Sequence, residues 1–245
     1  MSMESHYDRY IYDSKRFKRL KFPKATLSFH KAPVKAVFIT DDQKRLISGS
    51  WDKSVVVWSL EKGEIIHRFE MGDLVEMLHT DSVGQIIAVV IAGSKKIEIL
   101  NLIQMKRRSV LAHPSSINCV QVSKDGSLVF SSDYSGPFKI WNSATGQLLY
   151  TQVNRTIGMT RAMTLNFTGN KFYTHDGNLI VWMKTQEPFQ EKNLELRRAS
   201  VQSQNFEAIC ALCIMRDEKH IICGTINGRI LVGDFATGSI IQEFP

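Results

Sequence analysis

The chain has 245 residues, 43% of them hydrophobic and 22% charged, with a formal net charge of +7; this is the size and composition of one large or two small globular domains. No apolar run approaches the roughly 20 residues that span a bilayer, and the longest, Ile86–Ala92, has the length of a buried strand. MSMESHYDRY lacks the apolar stretch of a secretory signal, and cysteines at 119, 210, 213 and 223 form no disulfide framework, so a reducing compartment, cytoplasmic and/or nuclear, is expected.

The charge is uneven along the chain. Residues 1–24 carry seven basic side chains (Arg9, Lys15, Arg16, Lys18, Arg19, Lys21, Lys24) against three acidic ones (Glu4, Asp8, Asp13), so this arm holds +4 of the +7. The run KRFKRLKFPK can act as a nuclear import signal, as a phosphate-contacting arm or as a solvated tail, and the sequence leaves all three open.

After the arm, one unit recurs. It begins with a strand (VKAVFI), turns at TDDQKR, runs through LISGS, turns at Asp52, continues as SVVVWS and returns as KGEIIHRF. The third strand of successive units ends at Trp58, Leu100, Trp141, Trp182 and Gly233, in steps of 42, 41, 41 and 51 residues. The longer last step holds a polar insert, residues 184–204, expected to be a long surface loop. Units are expected over about 30–69, 70–110, 111–152, 153–192 and 205–245, with ATLSF (25–29) aligned to a fourth strand preceding the first unit. Short alternating strands, Gly and Asp turns and no helical period predict an all-β protein. Four strands per unit of about 41 residues predict β-propeller blades of antiparallel strands.

Over about residues 25–245 the pattern resembles the WD-repeat (Trp-Asp) propellers. That resemblance implies a hydrogen-bonded set in each blade: His before the first strand, Ser or Thr on the second, Asp in the next turn, Trp on the third strand. The first unit matches throughout with His30, Ser48, Asp52 and Trp58. The third matches with His113, Ser131 and Trp141, but Ser135 stands at the Asp position. The fourth keeps Asp176 and Trp182, the fifth keeps Asn227 and the Asp234 of a GD pair, and the second has lost nearly all of the set. A buried Asp must be hydrogen-bonded or it costs several kcal/mol, so an architectural network is the expected role of these residues. The resemblance also implies seven blades, and five are counted. The rest would come from a longer protein of which this chain is a fragment or shortened isoform, from residues 5–24, or from a partner.

Chemical motifs are few. No phosphate-binding glycine loop is present. CALC (210–213) places two cysteines three apart on a predicted strand, with no second pair, so no metal site is expected. RRAS (197–200) resembles a basophilic kinase site at Ser200. The His–Asp–Ser trio invites comparison with a hydrolase triad, but its partial copy in another unit marks it as structural. No enzyme activity, cofactor or small-molecule substrate is expected.

Function is therefore sought on the loop face. The residue preceding the turn Asp reads Trp51, Gly93, Tyr134, His175 and Ile226 along the units, and the resemblance places Arg161 near this ring. Trp and Tyr are enriched at binding hot spots. The expected function is a scaffold that docks other proteins or peptides within a multiprotein complex. The alternative is an RNA- or chromatin-associated subunit that contacts nucleic acid through the basic arm. No membrane partner is expected.

Overall fold

The computed structural model describes residues 27–135, 138–151, 162–165, 171–175, 179–184, 194–198, 209–215, 217–234, 237 and 239–244. The basic arm, Arg161, Asp176 and Ser200 lie outside them.

Every described element is a strand, and the twenty strands fall into five four-stranded antiparallel sheets, each in chain order. The first sheet is β1 (Val34–Ile39), β2 (Arg45–Ser50), β3 (Ser54–Ser59) and β4 (Glu64–Glu70). The second is β5 (Val75–Thr80), β6 (Ile86–Ile91), β7 (Lys96–Asn101) and β8 (Lys106–Ala112). The third is β9 (Ile117–Val122), β10 (Leu128–Asp133), β11 (Phe138–Asn142) and β12 (Leu148–Thr151). The fourth is β13 (Ala162–Leu165), β14 (Lys171–His175), β15 (Leu179–Lys184) and β16 (Leu194–Arg198). The fifth is β17 (Ile209–Ile214), β18 (His220–Thr225), β19 (Ile230–Asp234) and β20 (Ile240–Phe244).

Burial explains the strand composition. A strand covered on one face alternates, whereas one covered on both reads as a continuous apolar run. All six residues of β6 (IIAVVI) are buried because the second sheet is sandwiched. Its Ile87, Val89 and Leu100 meet Ile47, Val55, Val57 and Phe69 of the first sheet. Its other face, with Ala88, Val90, Ile97 and Ile99, meets Val120, Val122 and Trp141 of the third. The third sheet's Phe130, Phe138 and Ile140 then pack on Met163 and Leu165 of the fourth. The second sheet packs tightly on Gly49, where an added Cβ would lie 2.6 Å from Val75 Cγ1 and 2.9 Å from Leu78 Cδ2. Backbone bonds stitch the turns together: Asp41 N–H donates to Ser82 O at 2.8 Å, and Ser82 N–H donates to Lys124 O at 3.1 Å. Among the described residues no helix is long and apolar enough to cross a membrane.

Two sequence expectations are corrected. The insert 184–204 is not all loop. Its LELRR segment is β16, the fourth strand of the fourth sheet, paired from Lys184↔Leu194 to Ile180↔Arg198, so that sheet extends past residue 192. The strand was hidden because an edge strand needs one partner and tolerates charge on its free side. In ATLSF, the described residues Leu27–Phe29 form no strand; Phe29 instead stacks edge-on against Trp58, with the Arg68 guanidinium over its ring.

Candidate functional site

The first sheet holds the complete four-residue network. Trp58 Nε1–H donates to Ser48 Oγ at 2.8 Å, Ser48 Oγ lies 2.7 Å from His30 Nε2, and His30 Nδ1 lies 2.8 Å from Asp52 Oδ2. With the proton on Nδ1 every donor finds an acceptor, from indole to hydroxyl to imidazole to carboxylate. Asp52 also accepts from Lys31 N–H at 3.0 Å, Ser54 N–H at 3.1 Å and Ser54 Oγ–H at 2.6 Å. Burial pushes its pKa up, but the hydrogen bonds from Ser54, His30 and Lys31 outweigh it and bring the carboxyl to about 2.

The third sheet builds the same network from a residue that sequence reading missed. His113 Nε2 is 2.8 Å from Ser131 Oγ, and Trp141 Nε1–H donates to Ser131 Oγ at 2.8 Å. The carboxylate comes from Asp133, whose Oδ2 is 2.7 Å from His113 Nδ1. Ser135, at the sequence position equivalent to Asp52, donates its N–H to Asp133 Oδ1 at 2.7 Å and its hydroxyl to the same oxygen. Asp133 sits two residues upstream, still on β10 and paired with Ile117. Lys139, where the first sheet has Val56, brings Nζ to 3.3 Å from Asp133 Oδ2. Burial, then the nearby Lys139 charge, lowers the His113 pKa against the raising effect of Asp133.

In the second sheet the network is replaced as a whole. Met71 takes the histidine position, its N–H bonded to Lys53 O as His113 N–H is to Lys95 O. Val89 and Leu100 take the Ser and Trp positions, and all three are buried in one apolar cluster. Removing every polar member together leaves no orphaned group. In the fourth sheet Trp182 pairs with Phe172, the register of Trp58 with Leu46. These residues hold turns to sheets. No group of three or more His, Cys, Asp or Glu able to hold a metal occurs among the described residues. The register of β17 against β18 shifts between Ile209 and Ala211.

The loop face is organised by register. Trp51 N–H bonds Pro33 O at 3.1 Å, Ala92 N–H bonds Leu74 O at 2.8 Å and Tyr134 N–H bonds Ser116 O at 3.0 Å, each next to the start of an inner strand. The second-sheet equivalent of Trp51 is therefore Ala92, one residue before Gly93. Ile226 follows Thr225, which pairs with Ile209 as Ser50 pairs with Val34. His175 is placed differently from expectation: it lies within β14, paired with Ala162 and Leu179, at the position of Gly49. Tyr134 and Ile226 are 59% and 65% exposed, whereas Trp51 is 37% exposed. Trp51 is partly engaged at home, because its Nε1–H donates to Glu76 Oε2 at 3.0 Å and Lys35 Nζ lies 4.7 Å over its ring. Glu76 Oε1 in turn is 3.6 Å from Lys35 Nζ.

Between the inner strands lies a cavity of about 330 Å³. Ala36, Met77, Cys119 and Ala211 line it from equivalent positions on β1, β5, β9 and β17. Burial pushes the Cys119 thiol up to about 11, which makes it a poor nucleophile. His79 also lines the cavity. Its Nδ1 accepts Val122 N–H at 3.0 Å and Phe38 stacks on it at 5.0 Å.

The family described as "WD domain, G-beta repeat" matches residues 21–59 and 105–142, the regions of the two complete networks. Autophagy-related protein 16 of Arabidopsis thaliana is 23% identical over 214 residues, covering 83% of this chain and 40% of that protein. Actin-interacting protein 1 of Drosophila melanogaster is 29% identical over 122 residues, covering 48% of this chain and 20% of that protein. The chain thus spans 40% and 20% of the lengths of these two relatives. A solved structure titled "Structure of U3-55K" superposes with a TM-score of 0.69 at 17% identity, over 89% of this chain and 66% of that one. Five antiparallel sheets, two Trp–Ser–His–Asp networks and these matches converge: residues 21–59 and 105–142 match WD repeats, and the chain shares the β-propeller fold of the solved structure.

Proposed function

We propose that the protein is a non-enzymatic docking scaffold that receives a peptide or domain of another protein on the loop face carrying Trp51, Tyr134 and Ile226, inside a cytoplasmic or nuclear assembly. The observation that carries this reading is the placement of Trp51, Tyr134 and Ile226 at equivalent second-to-third-strand turns of the first, third and fifth sheets, with Tyr134 and Ile226 more than half exposed. Rigid sheets fix the spacing of these turns, and exposed aromatic rings supply area at low entropy cost. Trp51 is partly held by Glu76 and Lys35, so the more exposed Tyr134 is the stronger anchor. Actin-interacting protein 1, by its name, works through another protein, which agrees with this class of function.

The test is affinity capture with the tagged 245-residue chain, with and without RNase, beside Trp51→Ala and Tyr134→Ala. Stoichiometric partners that resist RNase and are lost with Tyr134→Ala support the loop face. Capture that RNase abolishes and both variants leave intact moves binding to the arm at residues 15–24 (Lys15, Arg16, Lys18, Arg19, Lys21, Lys24), where salt should weaken it steeply.

A further inference from the structure

The turn that joins β7 to β8 differs from its counterparts. Ser59 pairs with Glu64 across the β3–β4 turn, Asn101 pairs with Lys106 across the β7–β8 turn, and Asn142 N–H bonds Gln147 O across the β11–β12 turn, so the residues between them are equivalent. The first sheet reads Leu60, Glu61, Lys62, Gly63 there, and the third reads Ser143, Ala144, Thr145, Gly146. Both glycines take positive φ, 69° and 72°. The second sheet reads Leu102, Ile103, Gln104, Met105, so a methionine stands at the glycine position, at φ 51°. Glycine enters this region freely, and a residue with a Cβ does so at a cost. Strain of this kind points to a use for the side chain that bears it.

The same side chains are displayed to solvent. Ile103 is 69% exposed and Met105 45%. The turn is held from below: Gln104 N–H donates to Asn101 Oδ1 at 2.9 Å, Met105 N–H donates to Leu102 O at 3.3 Å, and Leu102 is buried in the cluster shared with the first sheet. Behind this apolar tip β8 opens with Lys106, Arg107 and Arg108, all exposed. At those places β4 has Glu64, Ile65 and Ile66, and β12 has Leu148 and Leu149 after Gln147. Arg107 is shared with Glu98, whose Oε2 lies at 2.7 Å. Among the described residues Lys106 and Arg108 have no ion-pair partner. In the antiparallel sheet this turn lies at the end opposite to the turns of Trp51, Tyr134 and Ile226.

We infer that this hairpin is a peripheral contact for an anionic lipid surface: Ile103 and Met105 enter the boundary between headgroups and acyl chains, and Lys106, Arg107 and Arg108 meet the lipid phosphates. The order along the hairpin carries the choice. Apolar side chains occupy the tip and cations follow directly behind, which is the order of layers in a bilayer met tip first. A projecting tip fits a deformable surface as it stands, whereas a protein partner would need an acid-rimmed pocket shaped around it. The sequence-based expectation of no membrane partner rests on the lack of a spanning apolar run, and a contact made by two side chains needs no such run. The contact is independent of the loop-face reading, because it uses the other end of the sheets.

The test is co-sedimentation of the full 245-residue chain with vesicles of phosphatidylcholine and phosphatidylserine, mixed three to one, and with vesicles of phosphatidylcholine alone. The chain should bind the mixed vesicles at low salt, bind pure phosphatidylcholine far less, and lose affinity as salt screens the charges. Ile103→Ser should weaken binding about tenfold, and Arg108→Gln about fivefold. Met105→Gly separates binding from folding: it relieves the positive φ, so it should not lower the urea midpoint, yet it should lower vesicle affinity. The basic arm is controlled by changing Lys15, Arg16, Lys18, Arg19, Lys21 and Lys24 together to Gln, and the binding that depends on Ile103 should persist in that variant. A chain that binds neither kind of vesicle overturns the proposal and leaves the tip to a protein with an acid-rimmed pocket. Binding that Ile103→Ser and Met105→Gly leave intact, or that the arm substitutions abolish entirely, also overturns it.

Discussion

Replacing Asp133 with alanine tests whether the carboxylate of the third sheet's network has moved from the turn to the strand. Asp133 is fully buried and accepts from His113, Lys139 and Ser135. Its loss leaves the His113 Nδ1–H without its acceptor and the Lys139 ammonium without a counter-charge, 10% of the Lys139 side chain being exposed. Breaking a buried pair from one side costs about 3–5 kcal/mol, so Asp133→Ala should lower unfolding free energy by about 4 kcal/mol out of a typical ~5–15 kcal/mol. Ser135→Ala removes only a donor at the rim of the network and should cost about 1 kcal/mol. The double variant Asp133→Ala/Lys139→Val restores the neutral Val56 arrangement of the first sheet and should recover about 2 kcal/mol relative to Asp133→Ala. The assay is urea unfolding followed by circular dichroism, comparing midpoints at constant slope. Equal costs for Ser135→Ala and Asp133→Ala, or no recovery in the double variant, would refute the assignment.

Further outcomes follow from the packing and the charges. Gly49→Ala forces a methyl into Val75 and Leu78 and should destabilise the chain by about 1–3 kcal/mol, read as a lowered urea midpoint. Val89→Ser places a hydroxyl where the second sheet has no imidazole or indole to meet it and should cost about 2 kcal/mol, more than Ser48→Val/His30→Met/Trp58→Leu together cost per residue. Burial, with Lys124 nearby and Asp41 opposing, lowers His79 from 6.5 to about 4. The unfolded chain therefore takes up this proton first: stability is whole above about 6.5 and falls as pH drops toward about 4, by about 2 kcal/mol for a partly exposed ring. His79→Gln should flatten that part of a stability–pH profile. Asp52, lowered to about 2, contributes stability that is present above about 3.8 and lost as pH falls toward 2, so Asp52→Asn should shift unfolding below pH 4.

The one-dimensional pattern was sufficient for the architecture. The period near 41, the alternating strands and the Gly and Asp turns are local properties, each repeated several times, and repetition makes a weak local signal firm. The first sheet's His30, Ser48, Asp52 and Trp58 were legible for the same reason. Tertiary structure decided where spacing and role part company. Asp133 reaches His113 from a strand position two residues away from the expected turn, because a flexible carboxylate needs only to arrive at the nitrogen, and several backbone positions allow that. β16 became a strand because β15 offered a free edge, a fact about a neighbour rather than about LELRR itself. His175 moved into a strand because register, fixed by pairing with Ala162 and Leu179, outranks distance counted from a turn. Burial could not be read from sequence at all: Val37 and Val120 are the same residue type at the same repeat position, yet Val120 packs with the second sheet at 6% exposure and Val37 is 57% exposed.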